Sequence, residues 1–107
     1  MTDREFLVKS AELCKKDYWL GHGDRVLIQE APRHHFIWNP FENRAQAEEV
    51  LEATNLQYEI NKDSREGDWY HGVTLFDLED EVILGCQQME LSKAICGAVK
   101  EWMEVEK

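Results

Sequence analysis

Histidine, cysteine and carboxylate side chains are the groups in this 107-residue chain whose types could do chemistry. His34 and His35 stand side by side next to an apolar stretch, and His71 and Cys86 fall in two later β-rich stretches. Zinc would need converging donors at characteristic spacings, which these residues do not show. Adjacent His34 and His35 on a strand point to opposite faces, so only one of them could serve a common metal. A Cys86/His71 nucleophile pair would need a positive neighbour to hold the thiolate, yet nearby acids push a thiol pKa upward. Glu48-Glu49 and Glu79-Asp80-Glu81 would do acid–base work only if their environments split their pKa values, and on a helix face or in a turn both sets are solvated. The expectation is therefore no catalytic residue, no metal and no cofactor.

Charge is the stronger signal. Lys and Arg number 12 against 22 Asp and Glu, a net charge of −10. Through His35 acids and bases balance, and the whole excess follows, where sixteen acids meet six bases. A field of that sign repels phosphate backbones and attracts basic protein surfaces. Direct nucleic-acid binding is thus disfavoured, and a partner protein with a basic surface is the expected ligand. Runs such as Val26-Leu27-Ile28 are far below the ~20 apolar residues a membrane helix requires. Three cysteines at unrelated spacings, Cys14, Cys86 and Cys96, and no apolar leader after Met1 point to a reducing cytoplasm. Cys14 and Cys96 fall on helix stripes and read as small buried hydrophobes.

The elements that must position these groups follow from periodicity and caps. Thr2-Asp3-Arg4-Glu5 is a capping box opening a helix to about Lys16, with Phe6, Leu7, Ala11, Leu13 and Cys14 at helical spacing. Arg25–Glu30 and His34–Trp38 read as strands of a hairpin around Ala31-Pro32-Arg33. Pro40 keeps Asn39 out of the α region, so the chain turns there into a second helix capped by Asn43 and Gln46. Its buried stripe is Ala47, Val50, Leu51 and Thr54, which leaves Glu42, Glu48, Glu49 and Glu52 outside. Leu56–Asn61 alternates as a strand with one wet face, and Lys62–Gly67 reads as the turn after it. Trp69–Phe76 and Glu81–Gln87 complete a three-stranded meander across an acidic turn at Asp77-Leu78-Glu79-Asp80. A last helix from Glu90 or Ser92 carries Leu91, Ala94, Ile95, Ala98, Val99, Trp102 and Met103 on one stripe. The class is α+β in a single domain: an antiparallel sheet of about four strands flanked by three helices, α-β(β)-α-β-β-β-α.

On that frame the expected partner-binding residues are Glu48, Glu49 and Glu52 on the second helix, and Asp77, Glu79, Asp80 and Glu81 in the acidic turn. Tyr70 and His71 join them at a strand edge, because an inward Trp69 sends Tyr70 outward by alternation. The other tryptophans, Trp19, Trp38 and Trp102, are read first as core.

Trp38-Asn39-Pro40, the helix with Ala47, Val50 and Leu51, Trp69 close to Gly72, and Ala94-Ile95-Cys96-Gly97-Ala98 together resemble the phage ABA-sandwich proteins, small phage-encoded domains. The resemblance covers about Phe36 to Met103. The chain departs from that pattern at Phe41-Glu42 and in the long acidic turn from Asp77 to Glu81. What the resemblance implies is an α/β/α sandwich, with helices on both faces of the sheet, inside an infected bacterium. The expected function is that of a non-enzymatic phage accessory protein which docks on a host or phage protein and inhibits a host defence or nucleic-acid-handling factor. The alternatives are a small-molecule or nucleotide-binding module, for which Arg25, Arg33 or Arg44 would have to converge, and a small enzyme. A homodimer through an exposed strand edge also belongs to the expectations.

Overall fold

Three helices and six strands alternate along the chain in a computed structural model that describes residues 1–23, 25–32, 34–76, 82–88 and 90–105. In order they are α1 (Asp3–Leu13), β1 (Tyr18–Leu20), β2 (Val26–Ala31), β3 (His34–Ile37), α2 (Arg44–Ala53), β4 (Gln57–Arg65), β5 (Asp68–Phe76), β6 (Val82–Gln88) and α3 (Leu91–Val105). The class is α+β, and the order of helices is the one the sequence predicts. The strands, however, divide into two antiparallel three-stranded sheets, β1-β2-β3 and β4-β5-β6. The expected hairpin gains β1, whose three residues pair with β2 from Tyr18↔Ile28 to Leu20↔Val26. So short a strand carries no period that a sequence could display.

Helix ends follow their chemistry. The Thr2 hydroxyl accepts the Glu5 amide at 3.1 Å, as the capping box requires. α1 stops at Leu13, before Lys16, because Lys15 turns left-handed (φ 57°) and the Lys16 amide bonds back to the Ala11 carbonyl at 3.0 Å, a Schellman-type closure. Asn39 accepts the amides of Glu42 and Asn43 at 3.2 and 3.0 Å, so the turn at Pro40 leads straight into α2. Asn43 caps α2 by accepting the Gln46 amide at 3.1 Å. Gln46 does not reach back to Asn43. Its side chain accepts the Asn39 amide at 2.7 Å and donates to the Ile37 carbonyl at 3.2 Å, which stitches the end of β3 to α2.

Packing neighbours run from one sheet to the other through the helices. α1 lies on β2, α2 meets both α1 and α3, and α3 covers β5 and β6. Helices on both faces of a single sheet were expected; here α2, standing between β3 and β4 in the chain, separates two sheets whose strands each close their hydrogen bonding locally. The core joins Phe6 and Ala11 of α1, Val26 and Ile28 of β2, Trp38, the α2 stripe, Val73 and Leu75 of β5, and Ala94, Ile95, Ala98 and Val99 of α3. Fully burying each larger aliphatic side chain there is worth about 1.5–3 kcal/mol. Trp38 is its largest member, and its indole N–H donates to Ser10 Oγ at 3.0 Å while Ser10 donates to the Leu7 carbonyl at 3.0 Å. No helix among the described residues is long and apolar enough to cross a membrane.

Candidate docking surface

β4 is where strand and surface depart most from the sequence reading. The strand does not end at Asn61 but continues to Arg65, and Lys62–Arg65 is paired strand, not turn. Only Glu66 and Gly67 turn, at φ 53° and 87°, the two positive values of a type I′ hairpin. Polar residues that look like a loop are tolerated in this arm because both its faces are wet: every residue from Gln57 to Ser64 is exposed. Among the described residues β5 pairs with β6 from His71 onward, and the tip of the β4–β5 hairpin shows two strands.

Register places Tyr58, Ile60, Lys62 and Ser64 opposite Leu75, Val73, His71 and Trp69 on one face. Val73 and Leu75 are sealed by α3, yet Trp69 is 56% exposed, Ile60 42% and Tyr58 39%. Alternation does put Trp69 on the inward face; the helix cover ends before it. Trp69 is thus the aromatic offered to solvent, Lys62 Nζ sits 5.0 Å from its ring centroid, and Tyr70 and His71 are half-buried. Sequence reasoning ranked Tyr70 and His71 above Trp69 for want of one fact, the reach of α3 over the sheet.

The α2 acids stand exposed on the outer face as predicted, and each meets a donor from a different part of the chain. Arg44 Nε donates to Glu48 at 3.1 Å one turn along the helix. Lys16, just beyond α1, meets Glu49 at 2.6 Å. The Tyr58 hydroxyl donates to Glu52 Oε1 at 2.5 Å, so β4 and α2 share one surface at that point. That bond, then desolvation, then the charges of Glu52 and Glu48 raise the Tyr58 pKa. Cys14 lies beside the same ridge, and its thiol is pushed up to about 11 by burial, with Glu49 adding to the rise and Lys16 opposing it. A thiol so placed is a poor nucleophile, in keeping with its expected packing role. Cys96 is fully buried.

The remaining candidates separate. Asp77, Glu79, Asp80 and Glu81 lie outside the described residues. His71 pairs with Gln88, and Cys86 with Val73, so their backbones are two residues out of register on neighbouring strands. No group of three metal-capable side chains occurs among the described residues. His35 and His34 are exposed, and His35 stacks edge-on against Trp19 at 5.6 Å. Trp19, Leu27 and Ile37 form a row across β1, β2 and β3, with Trp19 38% and Ile37 50% exposed, a second apolar strip that the core-first reading of Trp19 did not anticipate. Arg25 lines a groove with Trp19, Leu20 and His22, whereas Arg44 is engaged with Glu48, so these two bases serve different surfaces. Set against protein families, curated proteins and solved structures, the chain matches none.

Proposed function

We propose that this chain is a non-enzymatic accessory protein that docks on a partner with a basic surface, using the α2 ridge of Glu48, Glu49 and Glu52 together with Tyr58 at its border. The observation that carries the reading is the ridge itself: three exposed carboxylates on one helix face, each oriented by a donor from a different place in the chain. An ionised carboxylate has about four acceptor sites, so one internal donor leaves room for a partner's Arg or Lys. Holding the side chains in place lowers the entropy lost when that partner arrives. The net charge of −10 supplies long-range attraction to basic surfaces and repulsion of nucleic acid. The resemblance to phage ABA-sandwich proteins supplies the setting, an infected bacterium in which a defence or nucleic-acid-handling factor with an exposed basic groove would be blocked.

The test is capture from bacterial lysate on immobilised protein over a salt series. A discrete protein with a basic surface is expected at low ionic strength, and it should be lost progressively as the Debye length shrinks from about 10 Å at 0.1 M to about 3 Å at 1 M. Capture indifferent to salt, or none, overturns the proposal.

A further inference from the structure

We infer that the outer edge of β4 is a self-association edge, on which a second copy of this chain pairs antiparallel about a two-fold axis at Ile60. β4 is the outermost strand of its sheet, and no strand pairs with its outer side among the described residues. Its hydrogen-bonding phase follows from the turn. A two-residue hairpin closes on a hydrogen-bonded pair, here Arg65↔Asp68, and bonded pairs then alternate along the ladder. Odd-numbered β4 residues therefore bond to β5, and Tyr58, Ile60 and Lys62 turn their N–H and C=O groups outward, while the Ser64 N–H is taken by Asp63 Oδ1 at 2.9 Å. A long edge with an open row of such groups is a template for another strand unless a proline, a bulge or an inward charge blunts it. β4 contains no proline, and its register with β5 runs unbroken from Gln57↔Phe76 to Arg65↔Asp68. Its one charge on the inward face, Lys62, lies against the exposed Trp69 ring beyond the helix cover.

Charge selects the occupant and the register. A two-fold axis perpendicular to the sheet sets each residue opposite a copy of the strand read backwards. Among registers that overlap more than half of β4, centring on Glu59, Lys62 or Asp63 faces that residue with its own copy, and centring on Asn61 faces Glu59 with the partner's Asp63. Like charges directly opposite are destabilising. Centring on Ile60 avoids every such clash. Ile60 then meets the partner's Ile60, Tyr58 the partner's Lys62, Glu59 the partner's Asn61, and Gln57 the partner's Asp63. The aliphatic pair falls at the centre, and the Tyr–Lys pair adds a cation–π contact. Two three-stranded sheets become one continuous sheet, and the under-covered faces of Tyr58 and Ile60 adjoin across the axis. This inference rests on the strand edge and not on the acidic ridge, so either can fail alone.

Sedimentation equilibrium of the full chain, up to millimolar concentration, tests it. The expected mass is that of two 12.6 kDa chains. It should halve in Ile60→Pro, which deletes an outward N–H that the monomer does not use, and in Ile60→Lys, which sets like charges across the axis. The second variant keeps the test decisive should the proline unfold the arm. Under mild oxidation, with the unmodified chain as background for its own cysteines, Ile60→Cys should cross-link to its copy and Asn61→Cys should not. Single-chain mass throughout, a dimer that survives both Ile60 variants, or cross-linking of Asn61→Cys as readily as Ile60→Cys overturns the inference.

Discussion

Single side chains in this protein are placed by the need to satisfy buried polar atoms, and Trp38 shows it best. Its indole N–H has Ser10 Oγ as acceptor inside the core, so Ser10→Ala leaves a buried donor without a partner and should cost about 1–3 kcal/mol in urea unfolding. Replacing both partners removes the donor along with its acceptor, and the Ser10→Ala/Trp38→Phe pair should fall short of the sum of the singles; strict additivity would contradict the coupling. Cys14 gives a second residue-scale prediction. With its thiol pushed up from 9.0 to about 11, the thiolate fraction at neutral pH is about 100-fold below that of an ordinary cysteine. Alkylation of the folded chain, read by peptide mapping, should accelerate about tenfold per pH unit until pH approaches that value, whereas the unfolded chain levels off near 9.0. The sign for stability follows from the raised pKa. The contribution from neutral Cys14 is complete below the unfolded value and is lost as pH climbs through the folded one, so stability falls across about pH 9 to 11.

Elements were legible where a cap or a period was strong and illegible where only tertiary cover decides. Thr2 and Asn43 announced α1 and α2, and the stripe of Ala47, Val50, Leu51 and Thr54 is buried as its spacing required. The outer half of β4 was hidden because Asn61-Lys62-Asp63-Ser64 has the composition of a loop, and no local signal states that a strand will stand wet on both faces. The division into two sheets was hidden for a related reason: which strands pair across α2 depends on packing between residues far apart in sequence. Of the docking surface, the α2 acids were readable from helical phase, but their donors Lys16 and Tyr58 come from other elements. Trp69 needed the reach of α3. The type I′ turn supplies a direct test at this scale. Glu66 sits at φ 53°, where a side chain is strained, so Glu66→Asn should stabilise by up to about 1 kcal/mol, and Gly67→Ala at φ 87° should destabilise by at least that much. Space is not the issue at Gly67, since nothing lies within 4 Å of an added Cβ. Equal stability of the two variants in urea would contradict the turn assignment.

The whole molecule carries its net charge of −10 over extents of 44 × 35 × 23 Å, and that field acts with opposite sign on the two associations argued above. Two copies repel at long range, so raising salt from 0.05 to about 0.5 M should tighten self-association as the Debye length contracts. A basic partner is attracted, and the same salt should weaken its capture. The central claim is narrower than net charge, because it assigns capture to the α2 ridge. The most direct measurement compares, at low salt, capture by Glu48→Lys/Glu52→Lys with capture by Glu5→Lys/Glu101→Lys, an equal change of charge at exposed sites on α1 and α3. The ridge reversal should abolish retention of the captured protein while the matched reversal leaves most of it. Equal loss in both, or retention by the ridge variant, would contradict the account.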